Sequence, residues 1–263
     1  MADEPILLKA TQAGVATITL NRPRVHNAFD AEVIELLSEI FADLAGADGV
    51  RVVLLVAAGK SFSAGADLKW MEQAARFTKQ ENLEDARALG EMLRRLNRLP
   101  QPTVALVQGS AFGGGVGLMA ACDIVVAVRD AAFSLSEVKL GLIPATIAPY
   151  VVAAIGERQA RRYFLTGERF DAEEARRIGL VHEVVEDGAA LIAAGERMVE
   201  RLFTAAPGAL AEAKDLIEAV AGKPIDGHLI ADTARRIAER RIHDEAREGI
   251  AAFLEKRRPD WHG

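Results

Sequence analysis

Val50-Arg-Val-Val-Leu-Leu-Val-Ala57 is a near-continuous apolar run that stops at Gly59. A half-exposed strand alternates apolar and polar residues, whereas a run like this suits a strand covered on both faces, as in a parallel sheet flanked by helices. Such strands need crossover connections, and the first half of the chain supplies them. Val15-Ala-Thr-Ile-Thr-Leu20 is β-branched and ends at Asn21-Arg-Pro23, and Thr103-Val-Ala-Leu-Val-Gln108 and Asp123-Ile-Val-Val-Ala-Val128 read as two more short strands. Ala31 to Leu44 carries apolar residues at Val33, Leu36, Leu37, Ile40, Phe41 and Leu44, a helical stripe that Asp30 is placed to cap. A second helical pattern runs from Asn82 to Leu96, and Pro100 and Pro102 end it.

After Pro144 the composition changes, and beyond Val181-His-Glu-Val-Val185 the residues Ala, Glu, Arg and Leu dominate as far as Arg257. Strand and helix in alternation, then helices alone, predict an α/β body over residues 1–190 and an all-helical region over 191–263. Ile225 to Ile242 and Ala246 to Leu254 keep apolar stripes. The helical region is therefore expected to pack on something rather than hang free in water.

Composition excludes several classes. Asp and Glu number 38 against 32 Lys and Arg, a net charge of −6, which argues against a nucleic-acid-coating or membrane-surface protein. Basic residues do cluster at Arg235-Arg236, Arg240-Arg241 and Lys256-Arg257-Arg258, but Glu239, Asp244, Glu245 and Glu248 are interleaved with them, as on a solvated helix face. The single cysteine, Cys122, excludes an intramolecular disulfide and a cysteine-rich metal site, and reads as a small core residue of a protein in a reducing compartment. Histidines at 26, 182, 228, 243 and 262 form no i, i+4 pair, so no metal site is expected from them. No segment has the roughly 18 uninterrupted apolar residues of a membrane span. Met1-Ala-Asp-Glu-Pro lacks the basic start of a secretory signal, which makes the cytoplasm the expected address.

Two glycine-rich stretches each follow a buried-strand pattern: Ser61-Phe-Ser-Ala-Gly-Ala-Asp-Leu-Lys69 and Gly109-Ser-Ala-Phe-Gly-Gly-Gly-Val-Gly117. Both sit where open α/β sheets bind ligands. Small residues there leave amide N–H groups free to donate, and two of them converging on one carbonyl oxygen form an oxyanion hole, aided by the positive end of a helix opening near Gly115. The competing reading is that these glycines only permit tight strand-to-helix packing. Neither stretch has the Lys and Ser/Thr of a P-loop or the spacing of a dinucleotide-binding turn. A third stretch, Phe133-Ser-Leu-Ser-Glu-Val-Lys-Leu-Gly-Leu-Ile-Pro144, sets Glu137 among apolar residues. Desolvation raises the pKa of such a carboxyl group and suits it to acid–base work, unless Glu137 merely pairs with Lys139 or caps a turn.

These stretches, in this order, resemble the enoyl-CoA hydratase/isomerase superfamily, often called the crotonase family. The resemblance runs from Leu20-Asn-Arg-Pro-Arg-Val-His-Asn-Ala28 through Phe62-Ser-Ala-Gly-Ala-Asp-Leu68, Gly113-Gly-Gly115, Cys122-Asp123 and Gly141-Leu-Ile-Pro144 to Glu248-Gly-Ile-Ala-Ala-Phe-Leu-Glu-Lys-Arg257. It implies an α/β fold, a crotonase-like spiral of ββα units with a C-terminal all-helical trimerisation region, assembled as a homotrimer or a dimer of trimers. The implied substrate is an acyl-CoA thioester, with no cofactor beyond the coenzyme A that the substrate carries, and neither nucleic acid nor membrane as partner. Residue by residue, the family's two oxyanion-hole amides fall on Ala66 and Gly114. Ala64, Asp67, Leu68 and the Arg24 to Val25 region would line the CoA channel, largely by backbone contacts, and Phe253 and Lys256 match tail positions that reach the nucleotide end of CoA from the same or a neighbouring subunit.

Family hydratases usually carry two catalytic glutamates. Glu137 matches the second, and Gly117 stands at the position of the first. One carboxyl group can carry a proton between the alpha and gamma carbons, which is the task of the family's isomerases, so Gly117 leans towards isomerisation. Phe-Ser-Ala-Gly-Ala-Asp-Leu-Lys-Trp-Met71, Gly-Gly-Gly-Val-Gly-Leu118 and the run from Ser136 to Tyr150 resemble the methylglutaconyl-CoA hydratase-like branch of leucine and acyclic terpene breakdown. On that resemblance the expected reaction is hydration of a branched or glutaconyl-type 2-enoyl-CoA, with the isomerase as alternative and a non-catalytic nucleic-acid-binding relative as a third reading. Trp70 and Met71 are expected in the acyl pocket or the core, His26 and His182 in hydrogen-bonded loops, and Tyr150 is a candidate to reach the acyl pocket.

Overall fold

The computed structural model describes residues 4–11 and 13–262. Strands β1 (Ile6–Ala10) and β2 (Val15–Leu20) pair antiparallel, and β2 turns Ala16, Ile18 and Leu20 inward. Helix α1 (Ala31–Ala45) follows, with the Asp30 carboxylate accepting a 3.0 Å hydrogen bond from the Val33 N–H as its cap. Its apolar stripe buries Val33, Leu37, Phe41 and Leu44.

Three ββα units then wind in succession. The first is β3 (Val52–Ala57), β4 (Ser61–Ser63) and the helix pair α2 (Leu68–Ala74) and α3 (Lys79–Asn97). The second is β5 (Thr103–Val107), β6 (Ser110–Phe112) and α4 (Gly114–Ala120). The third is β7 (Ile124–Val128), β8 (Ala132–Ser134) and α5 (Ala148–Thr166). In each unit the first strand joins one sheet and the second joins another, so the chain advances one strand along both sheets per turn. With β9 (Phe170–Asp171), helix α6 (Ala172–Arg177) and β10 (Glu183–Val185), the result is a six-stranded sheet of order β1-β2-β3-β5-β7-β10 and a four-stranded sheet of order β4-β6-β8-β9. This is the expected spiral of ββα units. Because β4, β6 and β8 are neighbouring and parallel, the loops leaving their carboxyl ends lie side by side, at the edge where open parallel sheets hold ligands.

Helix α7 (Gly188–Phe203) starts just before residue 190 and buries Leu191, Ala194 and Gly195, the last against Leu106 of β5. Beyond it, α8 (Pro207–Val220) and α9 (Gly227–Arg241) bury no residue, and α10 (Asp244–Glu255) buries only Ala252. Ile230, Ile237, Ile242, Ile250 and Leu254 all stay exposed. Residues 260–261 are tied back at several points: Arg51 donates to the carbonyls of Trp261 at 2.8 Å and of Phe203 at 3.0 Å, with its guanidinium over the Phe203 ring, the Trp261 indole N–H donates to the Thr204 carbonyl at 3.3 Å, and the Asp260 N–H donates to Glu248 at 3.0 Å. The basic clusters of this region are paired, Arg235 and Arg236 with Asp232, Arg240 with Glu212 and Glu245, and Arg257 with Glu248. No helix among the described residues is long and apolar enough to cross a membrane.

Candidate active site

The loop after β4 is fixed by residues 22–30. Asn27 is buried with φ of 54°, a left-handed conformation that asparagine tolerates better than most residues. Its side-chain N–H groups donate to the carbonyls of Ala58 and Ser61, both at 2.8 Å, and its Oδ1 accepts from the Arg22 N–H at 2.8 Å. Ser63 Oγ donates to the Asn27 carbonyl at 2.8 Å and accepts from the Gly65 N–H at 3.2 Å. The Arg22 guanidinium joins Asp30 at 2.7 Å and Asp67 at 3.3 Å. The Phe29 N–H donates to the Gly65 carbonyl and the Asp67 N–H donates to the Phe29 carbonyl, both at 2.7 Å. These two bonds bracket Ala66 as a parallel bridge does, and its own N–H finds no partner among the described residues.

Gly113 follows β6 with φ of 49°, and its N–H donates to the Ser134 carbonyl at 3.0 Å. Helix α4 starts at Gly114, whose N–H has no intrahelical acceptor, as at any helix start, and none elsewhere among the described residues. The two loops touch. A Cβ at Gly65 (φ +84°) would lie 2.8 Å from the Phe112 carbonyl oxygen and 3.2 Å from the Gly114 nitrogen, so only glycine permits this approach.

Glu137 opens a short 3-10 turn, Glu137–Leu140, after β8. A Cβ at Gly113 would come 3.0 Å from its Oε1, which places the carboxyl beside the residue preceding Gly114. Oε2 is buried with no hydrogen-bond partner among the described residues. Burial pushes the carboxyl pKa above the ordinary 4.5, opposed only by a hydrogen bond to the residue's own backbone. Glu137 makes no pair with Lys139. The three loops thus bring together two N–H groups without internal acceptors and one desolvated carboxyl whose Oε2 has no partner among the described residues.

A cavity of about 950 Å³ opens from this point. Ala66 and Glu137 line it, with Trp70 and Met71 of α2, Asp85 and Leu89 of α3, and the loop from Leu140 to Ile147. Trp70 and Met71 therefore face the acyl-side cavity, and the Asp85 carboxyl shares it with them.

The other residues singled out in the sequence lie in different surroundings. Gly117 does not face the cavity. It is buried, and a Cβ there would lie 2.1 Å from Ile147 Cγ2, so Ile147 fills the space into which a longer side chain would project. Asp67 does not offer its side chain to a channel, because Oδ1 caps α2 through the Lys69 and Trp70 N–H groups and Oδ2 pairs with Arg22. The N–H groups of Ala64 and Asp67 are likewise committed, to the carbonyls of His26 and Phe29. Arg24, Val25 and Leu68 are exposed beside this loop, Leu68 at 81%, where a ligand could cover them. Phe253 and Lys256 lie exposed on α10 and its left-handed C-cap, and neither borders the cavity of its own protomer. Tyr150 is half-buried against the core, outside the cavity lining. His26 does sit in a hydrogen-bonded loop, its Nδ1 3.0 Å from Ser61 Oγ, and His182 Nδ1 accepts from the Val125 N–H at 3.1 Å. Cys122, just beyond α4, is buried, and burial raises its thiol pKa.

Two residues escaped sequence reasoning. Ile147, thirty positions from Gly117, has no local signal. Asp85 does have one: it stands four residues before Leu89 and continues the inward stripe Leu89, Met92, Leu93 and Leu96, an acidic residue on an otherwise apolar face.

Two sheets advanced together by ββα turns bring three carboxyl-end loops together beside a cavity and leave two backbone N–H groups without internal acceptors. The model of the enoyl-CoA hydratase/isomerase family matches residues 10–263. The chain belongs to that family. The solved enoyl-CoA hydratase of Shewanella pealeana is similar at 41% identity and a TM-score of 0.95, covering 98% of this chain and 96% of that one. Enoyl-CoA hydratase AKT6-1 of Alternaria alternata is 35% identical over 94% of this chain and 80% of its own length. The 1,2-epoxyphenylacetyl-CoA isomerase of Escherichia coli is 32% identical over 98% of both chains.

Proposed function

We propose that the protein is an enoyl-CoA hydratase in which Ala66 and Gly114 hold the thioester oxygen and Glu137 moves the proton. The observation that carries this reading is the half-buried Glu137 carboxyl, its Oε2 without a partner, near two N–H groups that no internal acceptor uses. Water adds its oxygen to the beta carbon while Glu137 takes its proton, and the electron pair of the double bond shifts onto the thioester oxygen as an enolate. The two N–H groups stabilise that charge where it develops. Glu137 then returns the proton to the alpha carbon, giving a 3-hydroxyacyl thioester and the starting carboxylate. The scheme needs no group beyond the chain, water and the substrate.

Isomerisation is the second reading, favoured by one observation: Ile147 seals Gly117 from the cavity, so no second carboxyl enters at that position. The same enolate would form by removal of an alpha or gamma proton and be reprotonated at the other carbon. A panel of enoyl-CoA thioesters decides between them, since hydration removes conjugated-enone absorbance and isomerisation creates it.

For the acyl group, the branched part of the methylglutaconyl-like expectation suits the cavity's size and its Leu, Ile and Met walls. The carboxylate part finds no lysine, arginine or histidine among the lining residues. Assembly is read from the tail: the exposed isoleucines of α9 and α10 would be covered in a trimer, and Phe253 and Lys256 would then face CoA bound to a neighbouring copy. Light scattering tests this, with a trimeric mass expected for the full chain and insolubility or a monomer after truncation at Val185.

A further inference from the structure

Apart from Glu137, Asp85 is the one ionisable side chain lining the cavity, and it lies on the α3 wall facing α2. The neighbouring donor is the Trp70 side chain, and burial still outweighs it, holding the Asp85 carboxyl above its ordinary range. Asn82, one turn earlier, offers no N–H, since its side-chain donor is committed to the carbonyls of Phe77 and Thr78 at 3.2 and 3.1 Å. With no cation in the lining, a second carboxylate brought in on an acyl chain meets like charge in a confined apolar space, a juxtaposition that discriminates strongly between ligands. A hydroxyl brought to the same place finds an acceptor. A site that can hydrogen-bond a ligand group separates it from the analogue lacking that group far better than an apolar pocket does.

We propose that Asp85 is a specificity-determining residue of the acyl cavity, accepting a hydrogen bond from an acyl chain that carries a hydroxyl and turning away chains that end in a carboxylate. The proposal rests on the acyl-CoA reading of the cavity and is independent of whether the reaction is hydration or isomerisation. Saturated thioesters test it, because they bind without reacting. Kd is measured by calorimetry for three series of four to eight acyl carbons: unsubstituted, terminally hydroxylated and terminally carboxylated acyl-CoA. The expected order at the best chain length is hydroxylated tighter than unsubstituted, and carboxylated at least tenfold weaker. Asp85→Asn, which keeps the shape, should bring the carboxylated series within about threefold of the unsubstituted one. Asp85→Ala should also abolish the preference for the hydroxyl. Thermal melting of both variants establishes that they fold, and the unsubstituted series reports whether the cavity is intact. Equal binding of carboxylated and unsubstituted chains by the wild-type protein at every length overturns the proposal, as does discrimination that Asp85→Asn leaves unchanged. Failure of all three series to bind would instead overturn the acyl-CoA reading on which it stands.

Discussion

Gly114 and Gly117 occupy the same short helix, α4, yet meet different surroundings. At Gly114 a Cβ would meet the Phe29 ring at 3.3 Å and the Gly65 Cα at 3.8 Å, and the N–H has no acceptor among the described residues. At Gly117 a Cβ would overlap Ile147 at 2.1 Å, and the residue is fully enclosed. One glycine leaves an N–H without an internal acceptor, and the other admits a neighbour's side chain. Functional and packing explanations of a glycine-rich stretch are therefore not exclusive, and they can divide one turn of helix between them.

The comparison is sharpened first at the reacting end. Glu137→Gln keeps the shape and removes proton transfer, so turnover should fall by roughly 10²–10⁴-fold while acyl-CoA binding survives. Steady-state kinetics on the best thioester of the panel checks this, and a mutant within tenfold of wild type would remove Glu137 from the mechanism. Acting as a base, Glu137 must be ionised, so kcat/KM should fall as pH drops through its pKa. Burial places that acid limb above 4.5, and the Gln variant should lack it.

Gly114→Pro comes next. Proline is at home in the first position of a helix and deletes the N–H, though its ring adds carbons beside Phe29, so kcat should drop by about 10²–10³-fold while Gly114→Ala, which meets the same ring and keeps the N–H, loses far less. A proline variant of wild-type activity would show that this N–H does not touch the thioester.

The sealed end should respond in stability instead of chemistry. Gly117→Ala overpacks Ile147 and should cost about 1–3 kcal/mol in denaturant unfolding. Gly117→Glu should destabilise further and give no new hydration, since its side chain is aimed at a filled site. Smallest of all is the coupling: adding Ile147→Ala to Gly117→Ala should recover part of the loss, by roughly 0.5–3 kcal/mol as for residues in contact. Additive losses in that double mutant would mean that the two ends of α4 differ for some other reason.

The long elements could be read from the chain. β2, α1 and β5 start where β-branched runs, the Asp30 cap and the Pro102 stop place them, because each is long enough to show a period. The second sheet could not. β4, β6 and β8 have three residues each, too few to show alternation, and their pairing joins positions about twenty to fifty apart. The meeting of Ala66, Gly114 and Glu137 depends on that sheet, which is why spacing alone left the glycines ambiguous and only the family resemblance brought the three together. Asp85 was legible as a break in an apolar stripe, whereas Ile147 against Gly117 is a contact that no local pattern encodes.

Arg51 holds the carbonyl of Trp261 across 210 positions of sequence. At the roughly 5–20 residues per second of ribosomal synthesis, that partner emerges about 10–40 s after the arginine does. Until then only the carbonyls of Phe203 and Ala205 are available to this guanidinium. The Trp261 carbonyl is thus the last of the three acceptors of this guanidinium to be made.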